Sequence, residues 1–522
     1  MRKNKKALIF MGLIVALMLC VCLAACGGGD YIEKNAKKLS AYTIEAGFDD
    51  SSKILSAVMV FDFYNNTDNS FTELKFHLYP NAYRKDASLP VVDELTRSKA
   101  YKNGFSYGDI KIDSAKSGEK AVAYVVEGTD CDILTVPLDA EVFPQQNARV
   151  EIVFEVSLAN IWHRLGYGNN TINIGNWYPQ LCVFKDGAWL TDPYYSNGDP
   201  FVSEMANYSV ALTAHKDFMI ASSGVPSSTE NKENDNVRTV YTAQSVRDFA
   251  FVMSPKFKKA SATVGSTTVN YFYFSDAEYE QSVSTAAKAL EYFNSTFGKY
   301  PYSKLDVAET DFCYGGMEYP CLVMITSGME KRSYETAIIH EIAHQWWYGL
   351  VGNDQVREAY LDEGLAEYST LMFYRAHPDY QVDAAQMLAD TTKQFNTFIK
   401  IVGNYNNDTD TSMNRALNEF ESQQQYTYMT YLKGMIMFGQ VNEVMGDKKF
   451  EAALRKYFDT CKLKLATKDD MLACFEKSYG ANISCLPKMQ GIEVRADMAG
   501  GLTLGGKEGG GRFYVLIFCP NI

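Results

Sequence analysis

The segment His340-Glu341-Ile342-Ala343-His344 constrains this chain more than any other. It is an H-E-x-x-H pattern, and the residues around it, Tyr334 to Ile339 and Gln345 to Trp347, contain neither Gly nor Pro. A helix running roughly from Tyr334 to Tyr348 is therefore predicted. At 3.6 residues per turn, His340 and His344 share one face of it, one turn apart. Two imidazoles so placed can both reach one zinc ion at about 2.0–2.1 Å. Glu341 stands next to them as a candidate general base toward a metal-activated water. The alternative is a helix with two incidental histidines.

A catalytic zinc takes three protein ligands and keeps one position open. Glu363 follows His344 after 18 intervening residues, within Leu361-Asp362-Glu363-Gly364-Leu365-Ala366-Glu367. That stretch opens a second predicted helix, about Ala359 to Ala376, which ends before Pro378. Two helices joined by the turn Val351 to Val356 can fold Glu363 back against the histidines, giving a His340, His344, Glu363 set and arguing against the incidental reading. Glu367 lies one turn further on. It fits either a partner for a zinc-bound histidine or an ordinary helix-surface carboxylate.

The chain has 522 residues, too many for one hydrophobic core, so two or three domains are expected. With 47% apolar and 22% charged residues the composition is that of a globular protein rather than a disordered one. A formal net charge of -13 argues against nucleic acid as a partner, since that needs a basic surface.

The amino terminus reads as a targeting segment. Met1 to Lys6 is basic, Ala7 to Leu19 is apolar without a charge, and Leu23-Ala24-Ala25 precedes Cys26. These are the parts of a secretory signal peptide over residues 1–25, and the cysteine after Leu-Ala-Ala resembles a bacterial lipobox. Cleavage before Cys26 and lipidation of Cys26 would follow, with residues 26–40 as anchor and linker and Gly27 to Gly29 as a flexible leash. An uncleaved membrane anchor is the alternative; the apolar run is short for a span of about 20 residues. Either way the body of the protein is expected outside the cytoplasm, tethered to the cell membrane. Of eleven cysteines, none forms a C-x-x-C pair. Cys313 and Cys321 fit either a disulfide or two small buried hydrophobes.

Residues 41–257 read as β-rich. Apolar and polar residues alternate in stretches such as Val150-Glu151-Ile152-Val153-Phe154-Glu155-Val156, with turn signals at Asn65-Asn66, Ser117-Gly118 and Asn197-Gly198-Asp199-Pro200. A sandwich or an open curved sheet is expected. Residues 258–484 change character. Ser275-Asp276-Ala277-Glu278 reads as a capping box opening a helix to Phe297. Strands are predicted at Leu305–Glu309 and Leu322–Ile325, and later helices at Lys433–Met445, Lys449–Cys461 and Lys468–Tyr479. Residues 485–522, with three glycine clusters, have no clear periodicity.

The spacing H-E-x-x-H, 18 residues, Glu resembles the gluzincin aminopeptidases, the family of aminopeptidase N and leukotriene hydrolase. Gly315-Gly316-Met317-Glu318-Tyr319 resembles that family's G-x-M-E-N motif, Tyr431-Leu432-Lys433-Gly434 its Y-x-K-G segment, and Arg247-Asp248-Phe249-Ala250-Phe251 the close of its first domain. The resemblance implies a multidomain α+β fold. A β-rich, saddle-like N-terminal domain would precede a thermolysin-like α/β catalytic domain that becomes mostly helical. It implies one Zn2+ per chain on His340, His344 and Glu363, with Glu341 as general base and Tyr431 as donor to the oxyanion. Glu318 would bind the free α-amino group of a peptide, with the backbone of Gly315, Gly316 and Met317 alongside it. The expected activity is hydrolysis of the amino-terminal peptide bond. A zinc endopeptidase, or a non-catalytic peptide-binding lipoprotein of the same fold, remain as alternatives. Two departures stand out: Tyr319 replaces the motif's Asn, and the family's second amine-binding Gln or Glu has no clear counterpart, Trp177-Tyr178-Pro179-Gln180 being only a plausible region.

Overall fold

The structure is a computed structural model and describes residues 30–405 and 410–480. The signal segment, Cys26 with its glycine leash, and the tail from 485 lie outside the described residues. The second half of the expected linker is a short helix, Asp30–Ala36. It is docked rather than free: Ile32 is buried and its carbonyl accepts a hydrogen bond from Ser245 Oγ at 3.3 Å.

The alternation seen in the sequence builds the first domain. An eight-stranded sheet runs in the spatial order 225–231, 236–246, 206–215, 41–49, 54–64, 147–157, 109–117, 120–121. In its strand Asn147–Ser157, every second residue, Val150, Ile152, Phe154 and Val156, is fully buried. Each such side chain contributes at most about 1.5–3 kcal/mol by removal from water. Two four-stranded sheets and a two-stranded one, Phe184–Lys185 with Ala188–Trp189, complete this half, and its buried aromatic side chains belong to a core that continues into the second half.

A five-stranded sheet begins the second half: β1 (Lys258–Val264), β2 (Thr267–Tyr273), β3 (Lys304–Thr310), β4 (Gly316–Met317) and β5 (Leu322–Thr326), in the order β1-β2-β3-β5-β4. β2, β3 and β5 are parallel, and β4 is an antiparallel edge strand on β5. Among the described residues, a short helix Gln423–Thr427 and seven longer ones accompany it: α1 (Tyr279–Thr296), α2 (Lys331–Ala343), α3 (Glu363–Ala376), α4 (Ala384–Tyr405), α5 (Lys433–Met445), α6 (Asp447–Cys461) and α7 (Lys468–Tyr479).

Several local expectations are corrected. The Ser275–Glu278 capping box does not form: α1 starts at Tyr279 without a side-chain cap, because Ser275 is drawn to the buried Glu309 carboxylate instead. The histidine helix spans Lys331–Ala343 rather than Tyr334–Tyr348. It is capped by Glu330, whose side chain accepts from Arg332 N and Ser333 N, and past Ala343 it tightens into i to i+3 bonds, Gln345 N to Ile342 O and Trp346 N to Ala343 O, before the chain turns at Tyr348 with φ 118°. The next helix starts at Glu363, preceded by a 3-10 turn at Ala359–Leu361. The long helix α4 had no counterpart in the reading of the sequence. Cys313 and Cys321 are both free, buried thiols.

The halves are locked by Arg247. Its guanidinium donates to the carbonyls of Ser203 at 2.8 Å, Tyr348 at 2.9 Å and Lys464. Helices α3 and α5 meet at Gly364 and Gly434, where a Cβ on Gly434 would stand 2.7 Å from the Gly364 Cα. Only residues without side chains permit that approach. Replacing Gly434 with Ala is expected to force the helices apart and destabilise the fold by about 1–3 kcal/mol, measured as a lower urea midpoint at unchanged slope.

Candidate metal centre

The last turn of α2 and the first turn of α3 face each other, and this places the three anticipated donors together. His340 Nε2 and His344 Nε2 are 3.0 Å apart, and Glu363 Oε2 lies 3.3 and 3.2 Å from them. All three side chains are buried. An ion held tetrahedrally at about 2.0–2.1 Å has donor-to-donor edges of about 3.3–3.4 Å, so the triangle matches a zinc site. The donor set also fits in orientation. His344 Nδ1 lies 2.9 Å from the Trp347 carbonyl, which leaves Nε2 as its lone-pair nitrogen. His340 Nδ1 stands 3.5 Å from Glu367 Oε1. Glu367 is thus a buried neighbour of a histidine rather than a helix-surface carboxylate.

The remaining acids explain why a cation belongs here. Oxygens or nitrogens of Glu318, His344 and Asp362, and of Asp199, Glu318 and Glu363, lie within 4.8 Å of one another. Burial, then the Asp199 charge, pushes the Glu318 carboxyl up to about 8. Burial raises Glu341 well above the usual carboxylate range. Burial disfavours charge on His344, but the Glu363, Glu318 and Glu341 carboxylates outweigh it and hold its imidazole well above the usual range. So many buried carboxylates are strained without positive charge in their midst.

Each other anticipated residue takes a position around this cluster. Gly316 presses on Glu341: a Cβ there would sit 2.3 Å from Glu341 Oε1. Glu341 Oε2 is buried without a hydrogen-bond partner. Gly316 and Met317 form the edge strand β4, with Gly315 just before it, and Glu318 follows it into the acid cluster. Tyr431 lies in a π-helical turn at Tyr428–Leu432. Its hydroxyl donates to Glu363 Oε1 at 2.5 Å, and its ring stacks on His340 with centroids 6.0 Å apart. Tyr319, in place of the motif's Asn, donates to Asn176 Oδ1 at 2.6 Å. Asn176 in turn donates to Asp248 at 2.8 Å, which moors the motif to the first domain.

Two residues escaped the reading of the sequence. Asp199, in a segment recognisable only as a turn, is the carboxylate that the first domain brings into the cluster, where it pairs with the buried Arg164. Arg164 also donates to Gly198 O, Tyr194 Oη and Met317 Sδ. Gln180, in the region considered for a second amine-binding group, instead donates to Arg247 O at 3.2 Å. The second missed residue, Gln355, lies in the turn between α2 and α3 and bonds to Glu318 and Asp362.

Comparison with known proteins agrees with this geometry. Residues 281–490 match the Peptidase family M1 domain. Human endoplasmic reticulum aminopeptidase 2 is 25% identical over 230 residues, which is 40% of this chain and 23% of that protein. Human aminopeptidase B is 27% identical over 211 residues, 38% of this chain and 31% of that protein. The matched stretch thus spans about a quarter to a third of these relatives. In structure, a mutant M1 zinc metallopeptidase from Deinococcus radiodurans superposes with a TM-score of 0.61 at 16% identity, covering 88% of this chain and 94% of that one. That mutant bound to a Tyr-Ser-Ala substrate superposes with a TM-score of 0.59 at 15% identity, covering 87% of this chain and 93% of that one. That family implies Zn2+, and His340, His344 and Glu363 fit it. The chain thus carries a stretch matched by the Peptidase family M1 domain and shares the two-domain fold of the M1 zinc metallopeptidases across both halves.

Proposed function

We propose that this chain is a zinc-dependent aminopeptidase that hydrolyses the first peptide bond of peptides with a free amino terminus. One observation carries the reading: a donor triangle fit for zinc shares a single buried cluster with Glu341, Glu318 and Tyr431. His340, His344 and Glu363 would hold the ion. When bound, Zn2+ supplies a Lewis acid that polarises the scissile carbonyl and lowers the pKa of water.

The chain's own residues account for the rest. Glu341, buried and with an uncommitted Oε2, takes the proton of the attacking water and passes it to the leaving amine. The edge strand Gly316–Met317 offers backbone groups to an extended peptide, and the bare Cα of Gly316 lets that peptide pass close to Glu341. Glu318 receives the substrate ammonium with Asp199 beside it. A blocked or internal residue brings no positive charge to these buried acids and is rejected for that reason. Tyr431 turns its hydroxyl from Glu363 to the oxyanion of the tetrahedral intermediate. The tripeptide held by the Deinococcus enzyme is the class of substrate this reading expects.

We also propose, on the strength of the basic, apolar and Leu-Ala-Ala-Cys segments of residues 1–26, that the mature protein is tethered outside the cytoplasm through a lipid on Cys26.

The function is tested by offering one peptide with a free and with an acetylated amino terminus, with and without a chelator. Cleavage of the free form alone, abolished by the chelator and restored by Zn2+, is expected; equal cleavage of both forms would sink the reading. The Glu341→Gln variant should retain zinc by metal analysis yet lose about 10²–10⁴-fold in turnover of an aminoacyl-anilide. Full activity would remove Glu341 from its role. The Cys26→Ala variant should move from the detergent phase to the aqueous phase on partitioning, and continued detergent partitioning would count against the lipid anchor.

A further inference from the structure

Gln355 is fully buried in the turn that joins the two metal-donor helices. Its amide nitrogen donates to two carboxylates at once: Glu318 Oε1 at 2.9 Å and Asp362 Oδ2 at 2.7 Å. The other oxygen of Asp362 accepts from the backbone N–H of Glu363 at 3.0 Å. A continuous path of three hydrogen bonds thus runs from Glu318 to the peptide unit of the third metal donor.

The other end of the amide makes this arrangement informative. Gln355 Oε1 is buried and has no hydrogen-bond partner. A glutamine kept for packing would satisfy both ends of its amide, since an unpaired buried carbonyl is unfavourable. Here the orientation is dictated by two ionisable acceptors, which a donor must face.

The charge of the side chain matters as much as its reach. Glu318 lies among Asp199, Asp362 and Glu363, and like charges in a buried site drive such groups apart or neutralise them. A neutral donor holds Glu318 in place and leaves its negative charge uncancelled. A lysine or arginine there would hold it by supplying the positive charge that an incoming ammonium is meant to bring.

We propose that Gln355 is a positioning residue for amino-terminal recognition. It fixes the Glu318 carboxylate relative to the start of α3, so that the ammonium anchor and the metal donor keep one separation. That separation decides which peptide bond lies at the reacting centre. The inference rests on the aminopeptidase reading above.

The test uses the full-length zinc-loaded enzyme, an aminoacyl-anilide, and the paired free and acetylated peptides. Gln355→Met removes the donors at near-constant volume, and Gln355→Asn keeps an amide too short to reach both carboxylates. For each variant the KM for the free-amine substrate should rise about tenfold or more, the loss expected for a hydrogen bond to a charged group. The preference for free over acetylated peptide should shrink in parallel. Zinc content should stay at one per chain, and kcat should change much less than KM. Should Gln355→Met fail to fold, Gln355→Asn carries the measurement. A folded variant with wild-type KM and wild-type preference overturns the proposal, as does a loss confined to kcat together with zinc. Wild-type enzyme that cleaves both peptides equally overturns the underlying function instead, and that result is read before any variant is made.

Discussion

The mutual repulsion of buried carboxylates is the constraint around which this molecule is organised. Glu318, Glu341, Asp362, Glu363 and Glu367 all lie out of water within two short helical turns and one strand end. Asp199 enters from the other domain with its own counter-ion, Arg164. Such a group is tolerable only with positive charge in its midst or with some of its members protonated. Three of its neighbours, His340, His344 and Glu363, present lone-pair atoms at the edge lengths of a tetrahedral ion site. The donor triangle offers a cation one place in this cluster, and in the proposed function the substrate ammonium at Glu318 answers the same electrostatic problem.

Precision in the cluster comes from packing outside it. Tyr431 reaches Glu363 only because α3 and the turn leading into α5 approach through paired glycines. The edge strand that carries Gly316 and Met317 is moored at one end by Tyr319 to Asn176 and on its side by Arg164 to Met317 Sδ. Arg247 ties the loop after the second histidine to both halves of the chain. The first domain is therefore more than a covering sheet. It supplies fixed points that hold the Gly316–Met317 edge strand and Tyr319 in place.

The candidate donor triangle was legible because its geometry is local. Positions four apart on a helix share a face whatever surrounds them, and Glu363 follows in the next helix after one turn. Glu341 follows His340 on the same helix, whereas the Gly315–Tyr319 segment was singled out by its resemblance to a family motif. The helix bounds were less so. Past Ala343 the helix tightens and the chain turns at Tyr348 through a positive φ that no propensity scale would assign to tyrosine, and Ser275 abandons its cap for a carboxylate more than thirty residues away. Those outcomes depend on long-range partners, whose identity a local pattern does not carry.

By itself, the sequence determined the donor types, their spacing and the alternation that makes the first half β-rich, since each follows from backbone periodicity within a few residues. Only the tertiary structure decided that Asp199 joins the acid cluster, that Glu367 faces a histidine rather than solvent, and that Gln355 bridges Glu318 to Asp362. These are contacts between segments far apart in the chain, or between side chains in a turn without periodicity. They exist because burial forces every buried charge and amide to find a partner, and which partner lies within reach is settled by packing.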